Sequence, residues 1–261
     1  MKDHIKEHWN QIASKLCTGP TANMRDQIIV KKENETLLAH ISHKETILDV
    51  GCGNGTSTLE IATTKNVKIL GIDYSEKMIK SALINLENAQ IEDILLGQVE
   101  FRVQDITKQW KIKNQYDKII SKRAIINLPN RDTQIKVIKS LAKLLKSTGL
   151  YLMIEDTIQG WKKLNELRKE WELPEIPMPW HNNYLDEAKI IKETENIYEL
   201  IDIVNFCSTY YIGSRFVHPL LLKILNIDRE PEYEAKINYL FSELSNYGDY
   251  GFQKLFIFKK R

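Results

Sequence analysis

The chain is short of cysteine and of net charge, and both shortages exclude classes of protein. Its 261 residues include only three cysteines, Cys17, Cys52 and Cys207, and no pair of them has a CxxC spacing. The cysteines therefore indicate neither a zinc site nor a disulfide framework, and they fit a reducing compartment. The formal net charge of +2 is too balanced to indicate a nucleic-acid-binding or membrane-binding surface.

Long apolar stretches are also missing. No run approaches the roughly 18 apolar residues that a membrane-spanning helix needs, and the opening MKDHIKEHWN mixes polar and charged residues, unlike a signal peptide. We therefore expect a cytoplasmic protein with no membrane partner. An apolar content of 43% suits one globular domain, or one domain with a small cap.

Strand patterns alternate with helical patterns over the first part of the chain. Two helical patterns, over residues 2–16 and 22–41, precede the first strand. Strands that are apolar on both faces and separated by helices predict an α/β fold with a doubly wound parallel sheet. The predicted strands cover residues 45–51, 67–73, 99–105, 116–122, 149–156, 199–211 and 252–260.

The regular alternation of strand and helix patterns ends after residue 156. The following residues contain helices and the proline-rich LPEIPMPWHNNY before the last two strands. We interpret residues 1–44 as N-terminal helices that cover the site. Residues 45–261 form the main domain, with cap insertions at about 157–198 and 212–248.

The segment ILDVGCGNG joins a buried strand to a turn with three glycines, Gly51, Gly53 and Gly55. Ligands of doubly wound sheets bind at the carboxyl ends of the strands, where this turn lies. Asp49 just before the turn would repel a pyrophosphate and would attract a cationic amino group. The turn therefore favours a ligand that resembles an amino acid over a phosphate.

Two more acids end neighbouring strands at the same edge. Asp73 ends the second strand, where an acid accepts hydrogen bonds from ribose hydroxyls. Asp105 ends the third strand, in position to accept from an adenine amino group, with Ile106 against the ring. A ligand with an amino-acid tail, a ribose and an adenine is S-adenosylmethionine.

These motifs, in this order over roughly residues 45–156, resemble those of the class I S-adenosylmethionine-dependent methyltransferases. The resemblance implies a Rossmann-like, mostly parallel seven-stranded sheet with an antiparallel last strand, and methyl transfer as the activity. We also assign Tyr74, Met78 and Ser121 to the cofactor site.

The flanks are similar to a narrower set of bacterial small-molecule methyltransferases, through EHWNQIA, NMRDQIIV, SKRAIINLPN, PWHN and STYY. Relatives of this kind act in surface-glycan or secondary metabolism, which implies a hydroxyl acceptor on a sugar-like or phosphorylated metabolite in polysaccharide biosynthesis. By the same resemblance, Trp9 and Arg25 close over the cofactor and Arg25 pairs with its carboxylate. The plainer alternatives are a helix-packing tryptophan and a solvated arginine.

The acceptor decides whether a base is needed. An alcohol benefits from general-base help, whereas a neutral amine needs none before attack. His181, in a loop stiffened by prolines, is the first candidate base because histidine titrates near neutral pH. Glu155 at the end of the fifth strand is the second, and Asp156 is interpreted as a helix cap.

Arg123 and Asn127 follow the fourth strand, where methyl group and acceptor meet in this fold, so both are assigned to the acceptor. Arg123 would suit a phosphate or carboxylate. The spacings of His4 with His8, and of His40 with His43, lack a convincing third metal ligand.

Other functions stay open at this stage. A small-molecule N-methyltransferase is the main alternative, because acceptor atoms are poorly encoded in sequence. Nucleic-acid methylation is less favoured, since the Asn/Asp-Pro-Pro-aromatic motif is absent and no basic surface interleaved with aromatics is evident. A cofactor-binding subunit without activity is a further alternative, and the oligomeric state is not encoded.

Overall fold

The computed structural model of the chain describes residues 2–16, 18–19, 21 and 24–261. Cys17 and the first residue of the NMRDQIIV motif lie outside these described residues. The other two cysteines, Cys52 and Cys207, are free and buried.

A single seven-stranded sheet has the order β3-β2-β1-β4-β5-β7-β6. Strands β1 to β5 are parallel, and β7 is antiparallel to both β5 and β6, as predicted for the last strand. The strands are β1 Thr46–Val50, β2 Lys68–Asp73, β3 Gln98–Val103, β4 Tyr116–Lys122, β5 Leu145–Asp156, β6 Tyr198–Val204 and β7 Gln253–Lys260.

The central strands form the core because both of their faces are covered. Ile47, Leu48 and Val50 of β1 are fully buried, as are Ile119 and Ile120 of the neighbouring β4. Burial on both faces explains why these strands are continuous apolar runs rather than alternating ones.

The described residues include ten α-helices. They are α1 Lys2–Leu16, α2 Gln27–Leu38, α3 Thr56–Thr64, α4 Glu76–Ile91, α5 Arg131–Leu141, α6 Ile158–Glu170, α7 Glu187–Thr194, α8 Ser208–Ile212, α9 His218–Ile224 and α10 Lys236–Glu243. The helix predicted over residues 22–41 is shorter at both ends, as α2.

Side-chain caps set where several helices begin. Asp26, Ser75 and Asn130 each accept a hydrogen bond from a backbone N–H in the first turn of α2, α4 and α5. Thr157 does the same for α6. The prediction that Asp156 caps this helix is therefore wrong, and its carboxyl group is left for another role.

The strand predicted over residues 199–211 ends at Val204. The STYY residues begin α8, which continues through a π-helical turn, Gly213–Val217, into α9. Aromatic and β-branched residues favour strands only weakly, and burial decides the outcome here. Tyr210 and Tyr211 are almost fully buried in the helical form.

Two inserted segments stand beyond the carboxyl ends of the strands. Helices α6 and α7 connect β5 to β6, and helices α8 to α10 connect β6 to β7. Helix α6 anchors the proline-rich loop, since Trp161 Nε1 donates to the Ile176 carbonyl (2.9 Å) and Arg168 Nε donates to the Pro174 carbonyl (2.8 Å). The division into a 1–44 cover and a 45–261 domain stays a prediction.

Candidate functional site

The glycine turn after β1 brings backbone very close to the loop after β4. Gly51 has φ of +77°, and a Cβ there would lie 2.5 Å from the Cβ of Ala124. Gly53 also has a positive φ. A side chain at Gly51 would collide with Ala124, and the left-handed backbone at both positions favours glycine, so the turn presents backbone without side chains to the space above it.

Acids at strand ends organise this turn. Asp73 accepts hydrogen bonds from the backbone N–H groups of Gly53 (3.2 Å) and Ser75 (2.8 Å). Burial raises the pKa of Asp73 to about 6, against the effect of these N–H groups. Asp49 accepts from Thr58 Oγ1 (2.5 Å), and burial raises its pKa as well. Both carboxyl groups border the same cavity.

A cavity of about 1090 Å³ lies above the turn. Most of the residues that the sequence assigns to the cofactor line it: Trp9, Arg25, Asp49, Gly51, Gly53, Asp73, Tyr74, Met78, Asp105 and Ile106. Tyr74 Oη is buried and has no hydrogen-bond partner in the described structure, as expected of a group that bonds a ligand. This cradle fits an adenosyl amino acid, and the individual contacts stay predictions.

The N-terminal helix closes one side of this part of the cavity. Ser75 Oγ donates to Asn10 Oδ1 (2.7 Å), which fixes α1 on the start of α4. Trp9 Nε1 donates to Asn127 Oδ1 (3.3 Å), which ties α1 to the loop after β4. Arg25 borders the cavity with an exposed side chain, and its predicted pairing with the cofactor carboxylate is untested.

Gly55 and Ser121, two residues assigned to the cofactor, do not line the cavity. Gly55 packs instead against Phe101, whose Cζ would lie 2.5 Å from an added Cβ. Ser121 is fully buried, and its hydroxyl lies 2.8 Å from Tyr151 Oη. Both residues support the turns around the site.

Glu155 is not placed to act on a substrate. Its side chain is fully buried, does not border the cavity, and accepts hydrogen bonds from the backbone N–H groups of Ala124 (3.1 Å), Ile125 (2.9 Å) and Ile126 (3.2 Å). Burial raises its pKa to about 8. The structure thus contradicts the predicted role of Glu155 as base or acceptor anchor, because its oxygens are used to hold the loop after β4.

Arg123 borders the cavity but already has a partner. Its guanidinium forms a buried ion pair with Glu33 of α2. The same glutamate lies 3.8 Å from the amino group of Lys122, which also bonds Asn34. The predicted use of Arg123 as a phosphate or carboxylate anchor is not supported, because its charge is compensated within the protein.

His181 lines the cavity next to the N-terminal helix. Its ring stacks on His8 with centroids 4.6 Å apart and meets Trp9 edge-on at 5.6 Å. Burial, and secondarily the charge of His8, lower the pKa of His181 to about 4. The expected pKa near neutrality is therefore wrong, and the imidazole is neutral at physiological pH.

The sequence missed the polar residues that the cap insertions and the ends of β5 and β7 place around the rest of the cavity. They include Asp156, Arg168, Tyr184, Tyr211, Arg215 and Gln253. The spacing of Tyr211 and Arg215 by four residues puts both on one helix face. This four-residue spacing carries no meaning in a strand, and the sequence predicts a strand over residues 199–211.

Arg215 connects the cap to the N-terminal region. It forms an ion pair with Asp26 (2.5 Å), which also accepts from Tyr210 Oη (2.8 Å). Its guanidinium lies over the rings of Tyr211 and Tyr233, 4.2 and 5.1 Å from their centroids. The buried cation is therefore neutralised by a carboxylate and contacts aromatic faces.

A family described as a methyltransferase domain matches residues 41–204, more than half of the chain. The chain belongs to this methyltransferase family. Its cofactor is S-adenosylmethionine, in agreement with the acids and glycines at the strand ends.

The names of individual relatives describe different activities. Human EEF1A lysine methyltransferase 2 is 32% identical over 191 residues, covering 67% of this methyltransferase and 77% of the relative. A carboxy-S-adenosyl-L-methionine synthase of Nautilia profundicola is 32% identical over 132 residues, or 49% of this chain and 51% of that protein. The chain spans between 34% and 56% of the length of the first curated relatives that it matches.

Solved structures share the fold at low identity. The magnesium protoporphyrin IX methyltransferase of Synechocystis with bound S-adenosylhomocysteine superposes with a TM-score of 0.59 at 14% identity, covering 98% of this chain and 94% of that one. The relatives vary in acceptor, so they do not support the narrower assignment to glycan O-methylation or polysaccharide biosynthesis.

No helix in the described residues combines the length and the apolar character needed to cross a membrane. No group of three or more metal-ligating side chains comes together among the described residues.

Replacing Asp73 by Asn should weaken cofactor binding with the fold intact. The amide lacks the charge and offers one acceptor oxygen, so the loss should be about 1.5–3 kcal/mol. Calorimetric titration with S-adenosylmethionine and S-adenosylhomocysteine measures it, with Asp132→Asn on the exposed start of α5 as control. Unchanged affinity combined with a lower melting temperature would show that Asp73 only supports the turn.

Replacing Glu155 by Ala should destabilise the protein. Three backbone N–H groups would lose their acceptor, and each buried unpaired donor costs about 1–3 kcal/mol. Urea unfolding with and without cofactor measures the free energy of unfolding. A variant of unchanged stability that has lost methyl transfer would restore Glu155 as a catalytic candidate.

Proposed function

We propose that this methyltransferase acts on a small molecule and methylates a hydroxyl group. The observation that carries the proposal is the single cavity that extends from the glycine turn to the cap insertions. At about 1090 Å³ it exceeds the roughly 300–1,000 Å³ typical of a site for one ligand. The space therefore accommodates an acceptor beside the cofactor.

The cap supports an enclosed acceptor of limited size. Residues of α6, the proline-rich loop and α8 to α10 border the cavity, among them Leu173, Ile176 and Leu222. When bound, S-adenosylmethionine supplies a methyl group already activated by its sulfonium charge. The contribution of the protein is then to hold the acceptor in line and to exclude water.

Two of the guanidinium groups that border the cavity are not available to a phosphorylated acceptor. Arg123 and Arg215 are paired with Glu33 and Asp26, so neither is free to neutralise a phosphate. A sugar-like hydroxyl is uncharged and needs no such cation. Methylation of an amine is the second candidate, because a relative of 32% identity is named a lysine methyltransferase.

His181, which lies beside the N-terminal helix, is proposed to bind the hydroxyl group that accepts the methyl group. Its Nδ1 is buried and unpaired in the described structure, and the ring lines the cavity beside Trp9. With a pKa lowered to about 4, the neutral imidazole accepts a hydrogen bond at physiological pH but is a weak base. We propose that it orients the acceptor and takes up its proton transiently.

Methyl transfer to a small molecule can be tested without knowing the acceptor. The protein is incubated with methyl-labelled S-adenosylmethionine and a bacterial cell extract separated into low-molecular-mass, protein and nucleic-acid fractions. Label should appear in the low-mass fraction, in a product whose bond survives mild acid and base as an ether does. Label confined to protein or nucleic acid would refute the proposal, and a methylated amine would favour the second candidate.

Replacing His181 by Ala should lower kcat by about 10²–10⁴-fold if it acts as a general base, and less if it only orients. Cofactor affinity should stay nearly unchanged. Because the folded-state pKa is about 4, the wild-type rate should lose the contribution of His181 only as pH falls through that value. A fall in rate between pH 7 and 6 that disappears in the variant would contradict the lowered pKa.

A further inference from the structure

Three of the buried cavity oxygens that lack a hydrogen-bond partner in the described structure belong to the carboxyl end of β5, the start of β7 and helix α8. They are Asp156 Oδ1, Tyr211 Oη and Gln253 Oε1. The exposed fractions of these residues are 5%, 0% and 1%, and all three border the cavity. Buried polar atoms in folded proteins are nearly always bonded, so unpaired ones indicate an absent partner such as a ligand.

The three oxygens belong to one cluster at the end of the sheet. Asp156 ends β5 and is the register partner of Gln253, the first residue of antiparallel β7. The Gln253 side chain lies close enough to the Asp156 carboxyl group to lower its pKa, and the charge of Asp156 also acts on Tyr211 of α8. Side chains from β5, β7 and α8 thus lie near one another at the cavity.

The chemistry of these atoms defines what the cluster binds. A carboxylate oxygen and an amide oxygen accept hydrogen bonds and donate none, whereas a tyrosine hydroxyl does either. The two nearby guanidinium groups, of Arg123 and Arg215, already pair with Glu33 and Asp26. An anionic group at the cluster would meet acceptor oxygens and two guanidinium groups that are already paired, so the cluster suits a donor.

We propose that Asp156, Tyr211 and Gln253 form the subsite that receives a hydrogen-bond-donating group, a hydroxyl or an ammonium, of the methyl acceptor. The proposal rests on the proposed function, in which the other part of the cavity holds the methyl donor. It gives Asp156 a binding role in place of the helix cap that Thr157 provides.

The walls next to the cluster favour an apolar or aromatic body on the ligand. Tyr184 stacks on Phe252 with centroids 5.8 Å apart, and Tyr211 meets Phe252 edge-on at 4.6 Å. All three rings border the cavity. Aromatic side chains of this kind bind flat or apolar groups, while the few polar atoms fix orientation.

The charge state of Asp156 makes binding at the cluster depend on pH. Burial raises its pKa to about 6, and the nearby Arg123, Gln253 and Arg215 side chains oppose the rise. The titratable groups that share its surroundings are Glu155, Tyr184, Cys207, Tyr211, Arg123 and Arg215. Above pH 6 the carboxylate is ionised, so an ammonium ligand should bind more tightly there than below it.

The test uses the full chain saturated with S-adenosylhomocysteine and three probes that share a phenyl body: benzyl alcohol, benzylamine and phenyl phosphate. Ligand-observed NMR titrations measure their dissociation constants for the wild type, Asp156→Asn and the control Asp132→Asn. Benzylamine or benzyl alcohol should bind more tightly than phenyl phosphate. Asp156→Asn should weaken benzylamine about ten- to a hundredfold, as for a lost bond to a charged group, and should abolish its pH dependence near 6.

Tyr211→Phe provides a second variant, which removes only the hydroxyl oxygen and should weaken benzyl alcohol while keeping affinity for S-adenosylhomocysteine. This variant decides the matter if Asp156→Asn does not fold. Preference for phenyl phosphate, no binding of either donor probe, or unchanged donor affinity in the folded variants would overturn the subsite. A methyl label found only on macromolecules would overturn the proposed function alone, because probe binding does not depend on turnover.

Discussion

Hydrogen bonds from loop N–H groups to carboxyl groups at the strand ends hold the site together. Asp73 at the end of β2 accepts from Gly53 in the turn after β1, and Glu155 at the end of β5 accepts from the loop after β4. Each acid therefore fixes the loop that follows the neighbouring strand. Because backbone N–H groups at such edges lack sheet partners, a buried carboxyl group satisfies them and gives the glycine turn and its neighbour one relative position.

Two buried ion pairs extend this order from the sheet to the elements that cover it. Asp26 and Glu33 of the second helical segment bind Arg215 of the cap and Arg123 of the loop after β4. Buried pairs add little net stability, because desolvation offsets much of their attraction, but losing one partner is costly. We infer that their value here is geometric: the N-terminal segment, the cap and the sheet edge meet in one arrangement.

Local sequence patterns were sufficient for the sheet and the cofactor part of the site. The apolar run before Gly51, the acid at Asp73 and the cap at Ser75 each follow from rules that involve only neighbouring residues. The acceptor part depends on contacts between distant residues. Arg215 and its partner Asp26 are 189 positions apart, and no periodicity in the sequence relates them.

The adjacent acids at the end of β5 show a second limit of prediction from the sequence. Successive side chains of a strand point to opposite faces, so Glu155 and Asp156 cannot both turn to the cavity. An amphipathic strand would reveal which residue faces inward, but β5 is apolar on both faces and hides this information. The sequence therefore identified two acids at the correct edge but assigned the site to Glu155, whereas Asp156 is the one that borders the cavity.

Burial shifts the pKa values of Glu155, Asp156 and His181 by different amounts. The resulting charge states indicate different roles for the three side chains. The pKa of Glu155 rises to about 8 and that of Asp156 to about 6, while that of His181 falls to about 4. Burial therefore disfavours the charged form more strongly at Glu155, which lies against the loop after β4, than at Asp156, which borders the cavity. Groups of similar intrinsic acidity take different roles when their surroundings move their pKa values apart. Here a neutral imidazole stands near the N-terminal helix and an ionised carboxylate near the cap, so the cavity has two chemically different ends with which to orient an acceptor.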